Sequence, residues 1–278
     1  MSFVEPPPAY NPHNYFPSSI ELTATRVFLS NCGRIVSGYL DAGRVYAFER
    51  NFGSLTLSID DPSPGTGHFF GGVNNFPASL SENLLCIGSE LFVGAPGSSS
   101  GQGIVYVFDT DTSTPKRSIV NPFPGVVTNF GSNLALFNGN LLVWKVSGGK
   151  VLLVNPQTGN HIRTFNDPRP GTTQFPFRVA TLGNTVYISA GRAAGRACVH
   201  AFNGSTGQLM GTIEDPGIDG LAAANMNGGL VAIGNSVYVG FPDYMVMGSV
   251  SVIKVGKIYK FAGYVTSAGS DANWTLYD

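Results

Sequence analysis

A short hydrophobic segment recurs five times along the chain, and this repeat restricts the possible folds more than any other feature. Apolar and polar residues alternate in each copy with a period of two, which is typical of a half-buried β-strand. Self-similarity at intervals of 46 to 60 residues indicates a repeat architecture. The copies are GRVYAF (Gly43–Phe48), GIVYVF (Gly103–Phe108), GKVLLV (Gly149–Val154), ACVHAF (Ala197–Phe202) and GKIYKF (Gly256–Phe261).

A second strand follows the first four copies at a fixed distance. A proline comes 14 residues after the end of each copy, and the sequences before it read SIDD, SIVN, TFND and TIED. Gly53, Gly159 and Gly207 share one offset in the turn between the strands, where we expect a positive φ angle. Each pair is a predicted hairpin that ends at the proline, because proline has no N–H to continue a ladder.

Another hairpin precedes copies two to five. Two-residue turns of glycine with serine or asparagine, at 88–89, 138–139, 183–184 and 234–235, join apolar strands and match the favoured hairpin connections. A degenerate first copy lies at Glu21–Asn31. Each repeat thus holds four short strands in sequential order, which predicts one blade of a β-propeller. Five copies predict an all-β propeller with five blades of four antiparallel strands.

The two ends of the chain need a separate interpretation. The first copy begins near Ile20, and Trp274–Asp278 supplies the outermost strand of the fifth blade if Tyr264–Asn273 is an insertion. An open solenoid is the rival architecture, but it needs polar capping repeats, and the last copy is as apolar as the middle ones. We therefore expect a single propeller over residues 20–278, preceded by an extended arm over residues 1–19.

The arm is rich in proline and aromatic residues, which favours an extended, polyproline-II-like conformation. A free terminus of this kind is usually poorly ordered, so an ordered one must lie on its own propeller or on another subunit. We therefore predict that the arm binds a protein partner through its aromatic side chains. The candidate contacts are Phe3, Tyr10, Tyr15 and Phe16.

The pattern FG, VGAP, G-x-VYVFD and DP resembles FG-GAP repeats, the blades also used in integrin-α heads. The copy at Leu91–Asp109, LFVGAPGSSSGQGIVYVFD, is the closest, and Phe130-Gly131 keeps the FG pair. Phe175-Pro176 and Phe76-Pro77 keep only the aromatic residue. The resemblance covers about residues 20–278 and implies the blade fold, but a fold does not determine a function.

Calcium-binding members of that family carry an Asp-x-Asp/Asn-x-Asp-Gly loop, which this chain lacks. Asp109 and Asp111 have neither the third carboxylate nor the glycine, whereas Ca²⁺ takes six to eight oxygen ligands. The four histidines show no zinc-ligand spacing, and His200 takes the tyrosine position of the repeat, which favours a structural role. We expect no metal site and no cofactor.

Two motifs invite a catalytic interpretation, and we favour a structural one for each. Gly97–Gly101 matches G-x-S-x-G, but a strand follows it where a nucleophile elbow needs a helix, so we expect a flexible Gly/Ser loop. The carboxylate pairs Asp60-Asp61 and Glu214-Asp215 fall on equivalent turns of different blades. Acid–base catalysis needs two acids within ~5–9 Å across one cleft. We expect no enzymatic activity and no catalytic residue.

Binding groups usually lie on variable loops above a rigid scaffold. The loops between the second and third strands differ most between the predicted blades, and Ser30–Gly43 and Gly94–Gly103 are two of them. The corresponding loops of blades four and five read AGRAAGRA and FPDYMVMG. The candidate loop-face binding residues are Arg192, Arg196, Asp243 and Tyr244.

Composition narrows the partners and the place of synthesis. Only 12% of the residues are charged and the formal net charge is −1, which argues against nucleic-acid binding, because that needs clustered Lys and Arg. No apolar run approaches the ~18 residues that span a bilayer, and the first residues lack a secretory signal pattern. Cys32, Cys86 and Cys198 form no disulfide framework, so we expect synthesis in the cytoplasm.

These observations favour a non-enzymatic structural or adhesion protein that docks into a larger assembly such as a virus or phage particle, as a tail, fibre or capsid-decorating component. Virion proteins are made in a reducing cytoplasm and work outside it, which reconciles unpaired cysteines with a neutral polar surface. The expected partners are other protein subunits and a host surface glycan. The alternative is a carbohydrate-binding, lectin-type propeller. Phe69, Phe70 and Trp144 are candidate stacking residues for sugar rings, but aromatic residues of repeat proteins more often belong to the core between blades, and we expect that position here.

Overall fold

The computed structural model describes most of the chain. The described residues are 3–6, 13, 15–73, 82–123, 128–144, 149–169, 175–193, 196–214, 229–241, 245–247, 252–254, 257–262 and 275–277. Contacts between residues divide the chain into two compact units. The first comprises Met1–Gly148 with Leu152–Ile162, and the second comprises Gly149–Val151 with Arg163–Asp278.

Five four-stranded antiparallel sheets follow one another along the chain, each in sequential strand order. These sheets are the blades of a β-propeller, which confirms the five blades of four strands that the repeat predicted. The strands of the first three are β1 (Ile20–Leu22), β2 (Arg26–Asn31), β3 (Arg44–Glu49), β4 (Leu55–Asp60), β5 (Leu84–Ile87), β6 (Glu90–Ala95), β7 (Ile104–Asp109), β8 (Pro115–Val120), β9 (Asn133–Phe137), β10 (Asn140–Trp144), β11 (Lys150–Val154) and β12 (His161–Asn166).

The last two blades differ from the others in the connection between their second and third strands. A two-stranded ribbon, β19 with β20, lies in that connection of the fifth blade. The strands are β13 (Val179–Leu182), β14 (Thr185–Ala193), β15 (Arg196–Asn203), β16 (Leu209–Glu214), β17 (Gly229–Ile233), β18 (Ser236–Phe241), β19 (Met245–Met247), β20 (Val252–Lys254), β21 (Lys257–Ala262) and β22 (Thr275–Tyr277). As predicted, β22 pairs with β21 as the outermost strand of blade five.

The turns follow the predicted chemistry. Gly53, Gly159 and Gly207 have φ angles of 73°, 72° and 78°. The second blade has no glycine at this offset, and Ser113 takes the same left-handed conformation with φ of 60°. The blade therefore sets the conformation of this turn, and glycine adopts it with the least steric strain because it has no Cβ.

Apolar cores lie between successive blades inside each unit. In the first unit, Phe108 of blade two packs with Phe28 and Val45 of blade one, while Phe92 and Val107 on the opposite face of blade two pack towards blade three. The second unit has an equivalent core between blades four and five. Blade two thus contributes both aromatic and aliphatic side chains to the cores on its two faces.

Phe70-Gly71 is the Phe-Gly pair that packs against the repeat glycine of blade one, whereas Phe76-Pro77 lies outside the described residues. Phe70 and Phe130 are fully buried, and each donates its backbone N–H to the carbonyl that precedes a repeat glycine, at 3.0 and 3.2 Å. A Cβ at Gly43 or Gly103 would overlap the backbone of the corresponding phenylalanine. The aromatic ring and the glycine therefore pack as one unit, which the sequence alone did not locate in blade one.

In the part of the chain that the structure describes, no helix has the length and apolar character that crossing a membrane requires.

Candidate interaction sites

The N-terminal arm lies on its own first blade. The ring of Phe3 contacts that of Phe48 with centroids 5.5 Å apart, and Phe16 contacts Tyr46 edge-on at 5.8 Å. Both arm rings pack against one apolar cluster on β2 and β3. We call the surface that receives the arm the arm cradle, and its residues are Val27, Leu29, Asn31, Arg34, Tyr46 and Phe48.

The apolar part of the cradle is the aromatic-rich face of blade one. In blade two, the same face carries Phe108 and packs against blade one. Blade one begins the series of repeats, and the arm covers its corresponding face. Phe3 and Phe16 therefore bury apolar surface that an internal blade buries against its predecessor.

A buried carboxylate fixes the first part of the arm. Glu5 Oε1 accepts hydrogen bonds from Asn31 Nδ2 at 2.8 Å and from the Tyr46 hydroxyl at 3.0 Å, and Arg34 Nη1 lies 3.5 Å away. The side chains of Glu5 and Arg34 are only 13% and 8% exposed. A buried charge is tolerated when it is paired and hydrogen-bonded, so these three donors form a pocket for a carboxylate. Burial and the neighbouring Glu5 raise the pKa of Tyr46 to about 12.

The second part of the arm is bonded to the end of β2. Ser18 donates its backbone N–H to the Ser30 carbonyl at 2.8 Å, and Ser18 Oγ accepts the N–H of Cys32 at 3.0 Å. Asn31 Oδ1 accepts the backbone N–H of Tyr15 at 3.3 Å. The arm is thus held at two separated points, the Phe3–Glu5 segment and the residues that lead into β1.

Sequence reasoning named two of these contacts and missed the rest. Phe3 and Phe16 lie on their own blade, Tyr15 is half-buried, and Tyr10 lies outside the described residues. Glu5 and its donors were missed, although Glu5 is the only acidic residue among residues 1–19. That isolation in a proline-rich segment was the available signal.

The loop of blade four is a strand extension. After an irregularity beyond Ala190, Ala193 pairs with Arg196 across the hairpin, so Arg192 and Arg196 lie on a ribbon that prolongs β14 and β15. Asp243 and Tyr244 lie outside the described residues, immediately before β19. The variable connection of blade four is therefore a strand extension, and blade five forms its own ribbon in the equivalent connection.

A histidine and a buried carboxylate meet at the end of blade one. His68 Nδ1 lies 2.7 Å from Asp61 Oδ2, and the other Asp61 oxygen accepts a backbone N–H of its own turn at 2.9 Å. Blade two places Asn121 and Thr128 at the same positions, with Nδ2 2.8 Å from Oγ1. The Asn121–Thr128 pair has the same geometry and cannot exchange protons at neutral pH. We therefore assign a structural role to the equivalent contact between His68 and Asp61.

The adjacent carboxylates have separate structural partners. Arg44 forms an ion pair with Asp60 on the neighbouring strand, and Arg169 forms one with Glu214. Asp215 lies outside the described residues. Asp61 caps its turn as predicted, so the carboxylates of the first pair are both committed to contacts within blade one.

The G-x-S-x-G segment forms a short turn. Helical turn α1 (Ser98–Gly101) contains Ser99 and Ser100 with φ angles of 52° and 57°. The strand β7 follows it, as the sequence indicated, where a nucleophile elbow has a helix. The flexible loop expected here is thus an ordered turn in the structure.

Cys198 and His200 form a buried pair in blade four. Cys198 Sγ lies 3.3 Å from His200 Nε2, and His200 Nδ1 lies 2.9 Å from Thr212 Oγ1. Burial lowers the pKa of His200 to about 4 and raises the pKa of Cys198 to about 11. Both groups are neutral at pH 7, whereas a reactive thiol needs a lowered pKa. The pair therefore packs the blade, in agreement with the structural role predicted for His200.

The aromatic candidates for sugar stacking are part of the core. Phe70 and Trp144 are fully buried between strands, and Phe69 is half-buried at a positive φ of 52°. The core position expected for these aromatic residues is confirmed for Phe70 and Trp144, which are not exposed for stacking. Among the described residues, no three His, Cys, Asp or Glu side chains come together as metal ligands would.

Comparison with known proteins shows the fold. No family model and no curated protein matches the chain. Hydrazine synthase from Kuenenia stuttgartiensis matches with a TM-score of 0.58 at 13% identity, over 94% of this chain and 64% of that one. The Cps50 (Swd1) β-propeller domain from Myceliophteria thermophila matches with a TM-score of 0.52 at 12% identity, over 94% and 71%.

BamB from Moraxella catarrhalis is also similar, with a TM-score of 0.49 and 16% identity over 90% of this chain and 70% of that one. The chain spans less than two thirds of the hydrazine synthase chain. At these identities, the likeness to the propellers shows the fold alone.

Proposed function

We propose that the chain is a non-enzymatic structural or adhesion propeller that docks into a larger assembly, such as a virus or phage particle. The proposal rests on the elements in which the described chain departs from the repeated blade. It departs at the arm, at the β14–β15 extension and at the β19–β20 ribbon. Variable elements on a rigid scaffold are the usual location of binding groups.

We also propose that the chain has no catalytic activity, and the protonation state of its cysteine thiols and of His200 supports this. Burial raises the pKa of Cys32 and Cys198 to about 11 and that of Cys86 to about 12. Thiols in this range are protonated at pH 7 and are weak nucleophiles. His200, with its lowered pKa, is neutral and buried.

The blades are proposed to be FG-GAP repeats. The support is the packing of Phe70 and Phe130 against the glycines that open the repeated strand, since this contact joins the Phe-Gly pair to the G-x-VYVF part of the motif. The proposed partners are other protein subunits, contacted through the Arg192–Arg196 ribbon, the Asp243-Tyr244 segment and the arm. Synthesis in the cytoplasm, followed by work on the particle, fits the free thiols.

Sedimentation of extracts from the native source tests this proposal. We expect the full chain to sediment with a particle and the variant R192A/R196A to lose at least ten-fold of that signal at an unchanged melting temperature. The matched control, R50A/K150A, removes two positive charges elsewhere and should sediment like the unmodified chain.

A chain that sediments only as a free species, or a ribbon variant that sediments like the control, overturns the proposal. Release of the chain from the particle by free sugar, together with binding on a glycan array, would instead support the lectin-type alternative.

A further inference from the structure

The first residues of the arm follow a strict alternation. Phe3 enters the apolar cluster of the cradle, Val4 is 69% exposed, and Glu5 enters the carboxylate pocket. An extended chain places successive side chains on opposite sides. The cradle therefore contacts the two side chains of a Phe-x-Glu sequence and leaves the middle one in solvent.

The pocket discriminates between side chains at the Glu5 position. Three donors, Asn31 Nδ2, the Tyr46 hydroxyl and Arg34 Nη1, converge on one carboxylate oxygen. Hydrogen bonds to a charged acceptor are stronger than neutral ones. The carboxylate also compensates the charge of Arg34, whose side chain is only 8% exposed, and removing one partner of a buried ion pair is destabilising. The pocket therefore favours a carboxylate over its neutral analogue.

The apolar part of the cradle also needs an occupant. It is the type of face that blade two buries against blade one, and the arm covers Val27, Leu29 and Phe48 in it. The identical arm of a second copy makes the same contacts with the cradle, because exchange of arms replaces each contact within one chain by the same contact between two chains. The arm's own tether gives it a local concentration on the order of millimolar, so exchange is favoured only where copies are concentrated, as in an assembly.

We infer that the arm cradle of blade one is a binding site for an extended Phe-x-Glu peptide, and that in an assembly the arm of a second copy of this chain replaces Phe3–Glu5 there. This inference deepens the proposed function by naming the partner of the arm. Its test measures binding of the arm itself, so it succeeds or fails independently of sedimentation with a particle.

The first test uses the full chain with F3A/E5Q, which empties the cradle, and a labelled peptide of residues 1–8. We expect saturable binding to this variant and at least ten-fold weaker binding to the unmodified chain, whose own arm competes. A peptide with E5Q should bind the emptied chain at least ten-fold more weakly. The matched control V4A alters an exposed side chain and should bind the peptide as weakly as the unmodified chain.

The second test mixes two full-length variants. One carries F3A/E5Q and has an intact cradle; the other carries R34M/Y46F and has an intact arm. We expect each alone to be monomeric and the mixture to form a one-to-one dimer in native mass spectrometry. If F3A/E5Q does not fold, E5Q alone serves in both tests.

A folded, emptied chain that does not bind the peptide, or that binds the E5Q peptide equally well, contradicts the peptide site. A mixture that stays monomeric at concentrations that saturate the peptide contradicts arm exchange.

Discussion

Glu21 Oε1 accepts the backbone N–H of Cys86 at 2.8 Å, which joins the innermost strand of blade one to the innermost strand of blade two. The other described innermost strands, β5, β9, β13 and β17, carry no carboxylate. Burial raises the pKa of Glu21, and the hydrogen bond from Cys86 only partly opposes that shift. The first repeat thus uses an acid where its successors use apolar residues.

This contact predicts a distinct pH dependence for E21Q. When folding raises the pKa of a carboxyl group, the group contributes stability that is fully present below its pKa in the unfolded state. That contribution is lost as the pH rises from the unfolded-state pKa to the folded-state pKa. The glutamine variant has no such loss. We therefore expect the free energy of unfolding of E21Q, relative to the unmodified chain, to increase between pH 4 and pH 7 in urea titrations.

His200 predicts the opposite dependence on acid. Its pKa falls on folding from 6.5 to about 4, mainly through burial and further through the charge of Arg169. The neutral ring therefore contributes stability that is present above pH 6.5 and is lost as pH falls towards 4, by up to about 3 kcal/mol. Tyrosine occupies this position in blades one and two, so H200Y should remove that acid sensitivity.

Thermal melts of the two proteins between pH 7 and pH 4 measure the difference. If both lose stability in parallel across this range, His200 is not the group responsible. T212V serves as a control, since it removes the hydroxyl that His200 contacts and leaves the titrating ring in place.

Much of the fold was predictable because its determinants are local. The alternation of GIVYVF is set by neighbouring residues, and two-residue turns such as Asn138-Gly139 determine the register of the hairpin they close. The offset that carries Gly53 in blade one predicted a positive φ, and Ser113 shows that this conformation persists without glycine.

The arm site was not predictable because its parts are far apart in sequence and share no repeated position. Glu5 meets Asn31, Arg34 and Tyr46, each on a different part of blade one. Nothing local to Glu5 indicates which donors it meets. Sequence reasoning missed Phe70-Gly71 for a similar reason, since the three-dimensional contact with Gly43 is what identifies this pair.

The arm is predicted to stabilise the propeller and not only to bind partners. Replacing Phe3 by alanine removes a half-buried ring from the cradle, for which we expect a loss of about 1–2 kcal/mol in the free energy of unfolding. Val4 is exposed, so V4A should change it by less than about 0.5 kcal/mol. Equal denaturation midpoints for F3A and V4A would show that the arm does not contribute to stability.

The turn of blade two carries a strain that blades one, three and four avoid by using glycine. Ser113 has a φ of 60°, and its buried hydroxyl has no hydrogen-bond partner. A non-glycine residue in the left-handed region costs on the order of 1 kcal/mol, and an unpaired buried hydroxyl adds to that cost. Because Gly53 occupies the equivalent turn, S113G should stabilise the chain by about 1 kcal/mol, whereas G53A should destabilise it by a similar amount. Urea denaturation of both variants measures the two effects, and a destabilising S113G would mean that the entropy glycine adds to the unfolded chain exceeds the strain it relieves.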